Sequence, residues 1–285
     1  MPSALPAIGV VTDSTAYLPD ERVTGITVVP LHVVVAGAQR REGRDVGSDV
    51  VAQALTARRT AVTTSRPAPG EFAAVYGDLL RQGAPAIVSV HLSAKLSGTY
   101  DAAVLAAAEF DGRVAVVDSH STGMGLGFCA LAAIEAAGQG QDLAGVRDAA
   151  VGAAARTTAL FYVDTLEFLR RGGRIGAASA LLGTALSVKP ILYIGESGVL
   201  VRDRVRTASR ALTRLTDLAV EAAGDGTVDI AVHHLASPER AQGLADRLAT
   251  RLGDQVRDRY LTEVGPAVAA HVGPGMVAAV VHRLP

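Results

Sequence analysis

The stretch AIVSVHLSAKLSGTYDAAVLAAA, Ala86 to Ala108, joins a short β-branched run to an alanine-rich run through a loop carrying Ser93, Ser97, Gly98 and Thr99. The first part has the length and composition of a buried strand, and the last predicts a helix over about Thr99 to Ala108. The same order of strand, polar loop and helix recurs through the first half of the chain. AIGVVTDS, ITVVPLHVVV and VAVVDS read as further strands, and a helix starts at about Pro69. Strands alternating with helices predict a parallel or mixed sheet covered by helices.

The second half has a different texture. After a helix over about Asp142 to Thr157 comes the strand ALFYVD, followed by the basic glycine-containing turn LEFLRRGGRIG. KPILYIGESGVLVRDRVR reads as a hairpin turning at Glu196, Ser197 and Gly198. A helix over about Thr207 to Ala223, a strand VDIAVHHLA, a helix opening at Ser237-Pro238 and strands around YLTEV and MVAAVVH complete the chain. The expected architecture is two α/β domains. Residues 1–159 would hold a mostly parallel, Rossmann-like sheet, and residues 160–285 a mixed sheet with helices.

Composition narrows the function. The 285 residues are 49% apolar, and 27 Lys plus Arg nearly balance 28 Asp plus Glu. Neither nucleic acid nor an acidic surface is announced by such a balance. With aromatics at 4% and no tryptophan, platforms for stacking bases are few. Cys129, the single cysteine, lies in apolar LGFCALAA and reads as a buried thiol of a reducing compartment rather than a nucleophile. The start, MPSALPAIGVVTDS, has no basic region of a secretory signal. The charge-free run Val264 to Val281 is broken by Pro266, Gly273, Pro274 and Gly275, which makes a poor membrane span. A cytoplasmic protein is expected, with at most transient membrane contact.

In open α/β sheets ligands gather beyond the carboxyl ends of the strands. The polar loops there are TDSTAYLP (Thr12 to Pro19), SAKLSGTY (Ser93 to Tyr100) and VDSHSTGMGLG (Val117 to Gly127), with VTTSRPAPGEF (Val62 to Phe72) and HVGPG (His271 to Gly275) besides. Ser97-Gly98-Thr99 stands where a helix begins, so amides, hydroxyls and the positive end of the dipole would converge on an anion. The plain alternative is a hydroxyl that caps its own helix.

Several chemistries lack their residues. SAKLSGTY has neither the lysine nor the spacing of a Walker A loop. GMGLGF puts Phe128 where a dinucleotide fingerprint needs its third glycine, so its glycines read as helix-packing positions. No G-x-S-x-G elbow occurs. His233 and His234 are adjacent on a strand and point to opposite faces. No metal, cofactor or catalytic residue is expected.

Taken together, TDSTAYLP, TSRPAPGEF, HLSAKLSGTYDAA, VDSHSTGMGLG, LEFLRRGGRIG with SVKPIL, and HVGPG resemble, in order and over nearly the whole chain, the signature segments of the DegV family. The resemblance implies a two-domain α/β protein with a ligand cleft between the domains for one long-chain fatty acid of the C16–C18 class. Its carboxylate would lie at a polar mouth and its acyl chain would be buried. It also implies a bacterial, non-catalytic subunit that presents the acid to a separate ATP-dependent fatty acid kinase in phospholipid metabolism. By the same resemblance the carboxylate ligands are Thr64 and Ser97, with His271 in the network around them and Ser65, Gly98 and Arg66 as additional ligand-site positions. The family form is commonly TSQP; Arg66 here replaces the glutamine and would add charge near the head group or a partner.

Physical chemistry agrees. A carboxylate accepts up to about four hydrogen bonds, which hydroxyls, helix N-terminal amides and a histidine N–H can supply. Transfer of the chain from water is worth ~0.8 kcal/mol per CH₂, or on the order of 11 kcal/mol at most for sixteen carbons. The run IGAASALLGTALSV, Ile175 to Val188, reads either as a wall for that chain or as an ordinary buried helix. Arg170, Arg171 and Arg174, with Arg202, Arg204 and Arg206, face either a partner or the ligand mouth, Arg174 and Arg206 foremost, or form a solvated surface. Two other functions use the same residues. One is an enzyme acting on an acyl ester or small carboxylate, with Ser97 as nucleophile, His271 as base and Asp13 or Asp118 as orienting group. The other is a metabolite sensor with a polar pocket throughout.

Overall fold

The computed structural model describes residues 7–57, 61–181 and 188–285. The chain divides into two compact units, one of residues 1–31 and 66–155, the other of 32–65 and 156–285. Against the single cut expected at 159/160, this division runs between 155 and 156 and moves one further segment. Residues 32–65 leave the first half to pack with the second.

In the first unit, β1 (Gly9–Asp13), β2 (Ile26–Val29), β6 (Ile87–His91) and β7 (Val114–Asp118) form a four-stranded sheet in the order β2-β1-β6-β7. Every pairing is parallel. All five residues of β6 are buried, and successive side chains of a strand point to opposite faces, so both faces are covered. Ile87 packs with Val11, Val29, Phe72 and Tyr76 under α2 (Pro69–Arg81) and α3 (Thr99–Ala107). The helices α4 (Met124–Gly138) and α5 (Leu143–Ala155) pack on each other and against β6. Gly127 of α4 is a close-packing glycine as expected, since a Cβ there would stand 2.8 Å from the Ala16 carbonyl. Cys129 is buried beside it.

The second unit carries a six-stranded sheet in the order β10-β9-β8-β13-β11-β12. Its strands are β8 (Thr157–Tyr162), β9 (Lys189–Gly195), β10 (Gly198–Val205), β11 (Val228–His234), β12 (Val256–Glu263) and β13 (Val277–Arg283). Only β11 and β12 pair in parallel, so the sheet is mixed. The predicted hairpin is β9–β10, with Gly195 opposite Gly198. Leucines and alanines of α7 (Ala208–Ala223) and α8 (Pro238–Leu252) bury one core against it. Thr207 caps α7 through the amide of Arg210, and Pro238 starts α8.

ITVVPLHVVV, read as one strand, is two. Pro30 has no N–H to give to a ladder, and at that point the chain leaves the parallel sheet. β3 (His32–Val35) joins β4 (Ala38–Arg41) and β5 (Val62–Ser65) in a three-stranded antiparallel sheet ordered β4-β3-β5. Next to it lie α1 (Ser48–Ala57) and α9 (Pro266–Val272). The basic turn forms α6 (Glu167–Arg171). In the run Ile175 to Val188, residues 182–187 lie outside the described residues, as do 1–6 of the N-terminal reading. Among the described residues no helix is long and apolar enough to cross a membrane.

Candidate functional site

Two polar clusters lie on the loops singled out from the sequence, one in each unit. In the second unit the site begins with β5, whose edge position leaves Thr64 half-buried, paired to Val33 on one side. The 3-stranded sheet faces α9, whose first turn is anchored by a buried carboxylate: Glu42 accepts the Ala267 amide at 2.9 Å. A negative group suits that end of the helix dipole. α9 then delivers His271 in its last turn, and Nε2 of His271 lies 2.8 Å from Thr64 Oγ1 across 207 residues of sequence. Burial, assisted by the Arg174 charge, holds the imidazole down to about 4, so it is neutral near pH 7.

The turn after α6 packs against that ring. A Cβ on Gly172 would overlap His271 Nδ1 and stand 2.9 Å from Cε1. Two glycines of HVGPG have a different reason. Gly273 (φ 72) and Gly275 (φ 90) need left-handed backbone, and side chains there would strike the Phe168 ring and the Asp164 carboxylate. Asp164 is engaged by Tyr162 (2.6 Å) and Arg240 (3.1 Å).

In the first unit the LSGT loop turns on Ser93, whose carbonyl accepts the Leu96 and Ser97 amides. Ser97 Oγ is 2.9 Å from Thr99 Oγ1 and accepts the Thr99 amide at 3.3 Å. Gly98 is the cap residue of α3, and the Arg66 guanidinium lies where its side chain would be. Arg66 is exposed, and no carboxylate pairs with it among the described residues. Beside the loop, Asp118 accepts the Ala94 amide (3.2 Å) and the His120 amide (2.8 Å).

Asp13 has a different role from the orienting group of the enzyme reading. One oxygen accepts His91 Nδ1 (3.0 Å) and the Leu92 amide (2.9 Å), and the other takes the Thr15 hydroxyl (2.6 Å) and amide (3.1 Å). His91 Nε2 lies 2.7 Å from Ser89 Oγ, which accepts from Tyr76 at 2.8 Å. This is a Ser–His–Asp line by distance. Ser89, His91 and Asp13 all have 0% exposure, so no substrate reaches them, and the line ties β1 to β6.

Of the residues expected at the site, Thr64 and His271 are brought together, and Ser97 and Gly98 share a loop with Arg66 over it. Ser65 is exposed on β5. The basic residues mostly have local roles. Arg170 and Arg171 pair with Glu167 (2.7 Å each) and Arg202 with Glu221 (3.1 Å). Arg174 Nη1 donates to the Gly172 carbonyl at 2.5 Å. Arg206 is exposed. The roles of Glu42 and Gly172 were not anticipated. Gly172 sits at ordinary helical φ (−74), so only its neighbour explains it, and that neighbour is about a hundred residues away in sequence. His233 is bonded to Thr262 (2.7 Å) and lies apart from any metal cluster; among the described residues there is none.

A hydroxyl loop at the start of α3, a neutral histidine on a threonine, and two α/β units, one with a parallel sheet and the other with a mixed and an antiparallel sheet, define the class of this α/β protein. The model of a family described as "Uncharacterised protein, DegV family" matches residues 7–283, and the chain belongs to the DegV family. A DegV domain-containing protein of Streptomyces coelicolor is 51% identical over 276 residues, 96% of this chain and 98% of the relative. Among solved structures, a DegV family protein from Thermus thermophilus, described by its fatty acid binding, has a TM-score of 0.92 at 35% identity, covering 98% of this chain and 100% of its own. DegV from Bacillus subtilis, described as a fatty acid binding protein, has a TM-score of 0.88 at 30% identity, again covering 98% and 100%.

Proposed function

We propose that this protein binds a long-chain fatty acid in the bacterial cytoplasm, holds its carboxylate with Thr64, Ser97 and His271, and presents it to a separate ATP-dependent kinase. The observation that carries the reading is the 2.8 Å contact between Thr64 Oγ1 and His271 Nε2. It sets a hydroxyl and a neutral imidazole, rather than a buried cation, at the end of α9. Hydroxyls suit a carboxylate that must later react, because they bind it without an ion pair. The relatives from Thermus thermophilus and Bacillus subtilis, described as binding fatty acids, support the same ligand for this chain. Ser65, Gly98 and Arg66 are assigned to the surround of the head group, and Arg174 and Arg206 to the side offered to the partner.

The protein acts in this reading as a carrier subunit without its own chemistry or cofactor. An esterase reading needs Ser97 bonded to a histidine, whereas the described partner of its hydroxyl is Thr99. Native mass spectrometry of purified protein tests the proposal. A bound C16 or C18 acid is expected, and apoprotein that also refuses added palmitate and oleate would refute it. Added kinase and ATP should phosphorylate the bound palmitate, while the protein alone should leave ATP and acyl esters unchanged.

A further inference from the structure

The bond between Thr64 and His271 has a direction, and the turn beside it decides which. A neutral imidazole carries one proton, and the nitrogen that holds it is set by the partner of the other nitrogen. His271 Nδ1 is buried without a hydrogen-bond partner among the described residues. It faces the bare Cα of Gly172, where a methyl group would overlap it. The carbonyl of that glycine is already engaged by Arg174 Nη1 at 2.5 Å. A proton on Nδ1 would thus be a buried donor with nothing to accept it, the rarer and costlier kind of orphan. A lone pair on Nδ1 is also favoured by the positive charge of Arg174, the same charge that opposes protonation of the ring.

We propose that the Gly172–Arg174 turn fixes the polarity of the pair: Nδ1 keeps a lone pair, Nε2–H donates to Thr64 Oγ1, and the Thr64 hydroxyl donates its own proton outward to an anion. Gly172 and Arg174 are positioning residues in this scheme, acting through the ring. The reverse arrangement, with Thr64 donating to Nε2, would turn only oxygen lone pairs toward a ligand and repel a carboxylate. The hydroxyl has no other partner among the described residues, so its proton is free for that use. The identity of the anion rests on the fatty-acid reading above. The polarity itself is a property of the ligand-free protein.

Two measurements separate these. In ligand-free protein labelled with ¹⁵N-histidine, long-range proton–nitrogen correlations at pH 7 should show His271 protonated at Nε2 and bare at Nδ1; a proton on Nδ1 overturns the proposal whether or not palmitate binds. The second uses Gly172→Ala, which the backbone tolerates at φ −74, so that the methyl group acts on the imidazole. Palmitate affinity should fall at least about tenfold, the loss of one hydrogen bond to a charged group. Hexadecanol affinity should fall much less. Wild-type affinity and selectivity in Gly172→Ala, in folded protein, would overturn the role of the turn. Should that variant not fold, Arg174→Met provides the same comparison by removing the positive charge that favours a lone pair on Nδ1, and it should shift His271 toward the Nδ1–H form; an unchanged tautomer there would remove Arg174 from the scheme. A wild-type protein that ignores palmitate yet shows the Nε2–H tautomer would refute the ligand and leave the polarity standing.

Discussion

His91 and His271 each meet a hydroxyl through Nε2, at 2.7 and 2.8 Å, in opposite surroundings. His91 is sealed, with Asp13 on its second nitrogen and Tyr76 beyond Ser89. Every proton in that line has a donor and an acceptor inside the protein, so the network has nothing left to offer a ligand. His271 has one nitrogen without a partner among the described residues, and the Thr64 hydroxyl has no second bond there. Satisfied buried networks rigidify a fold; a network that is one partner short is where a ligand can enter. Triad-like distances alone point to His91, whose line is closed to any substrate.

The largest effect should come from the sealed line. Asp13→Ala strands the His91 Nδ1–H, the Leu92 amide and the Thr15 donors at full burial, and should destabilise by about 3 kcal/mol or more, read as a shift in the urea midpoint. A loss under about 1 kcal/mol would break the contrast, because the line would then not be structural. Thr64→Val and Ser97→Ala should do the reverse. Each should weaken palmitate binding by about 1.5–3 kcal/mol in isothermal titration with little change in midpoint, and should affect hexadecanol much less. Equal losses for acid and alcohol would place Thr64 with Ser89, among groups that shape the fold.

Acid should act next in size. Burial holds His233, His271 and His282 down to about 4 in the folded protein, against an ordinary 6.5. The unfolded chain therefore takes up protons first as pH falls, and stability present above about pH 6.5 is lost between there and about 4. The charges facing these rings are Arg174 on His271, His234 on His233, and Asp229, Arg156 and Arg257 on His282. Melting temperatures should drop over that window, less steeply in His271→Gln; a flat profile would mean the rings are not held neutral. The smallest effect is expected for Arg202→Ala, whose exposed pair with Glu221 should leave the midpoint unmoved.

Much of this was legible in the sequence because it is local. The β6–loop–α3 unit, the hairpin at Glu196 and Ser197 and the start of α8 at Pro238 are set by runs of adjacent residues, and the structure has them within a residue or two. What was not legible depends on partners far along the chain. Nothing near Pro30 says that the next strand belongs with residues beyond 156, and no spacing rule joins Thr64 to His271. The family resemblance named both as ligand residues, but not the bond between them. Gly172 was visible only as part of a glycine turn, since its backbone angle makes no demand and its meaning lies in a ring on another helix.

The excursion of residues 32–65 also has a consequence for synthesis. β3, β4 and β5 leave the ribosome long before the helix beside them, which ends at Val272, and Glu42 waits 225 residues for the amide of Ala267. The first unit has all its residues once Ala155 has emerged, whereas the three-stranded sheet lacks α9 until the chain has grown well beyond that point. Contacts so distant close slowly, and an edge strand left open in the interval is the part of the nascent chain most exposed to mispairing and to chaperones. The α9 segment thus acts as a checkpoint on β3, β4 and β5, made far ahead of it, and a chain that stops short of α9 leaves Thr64 without its bond to His271.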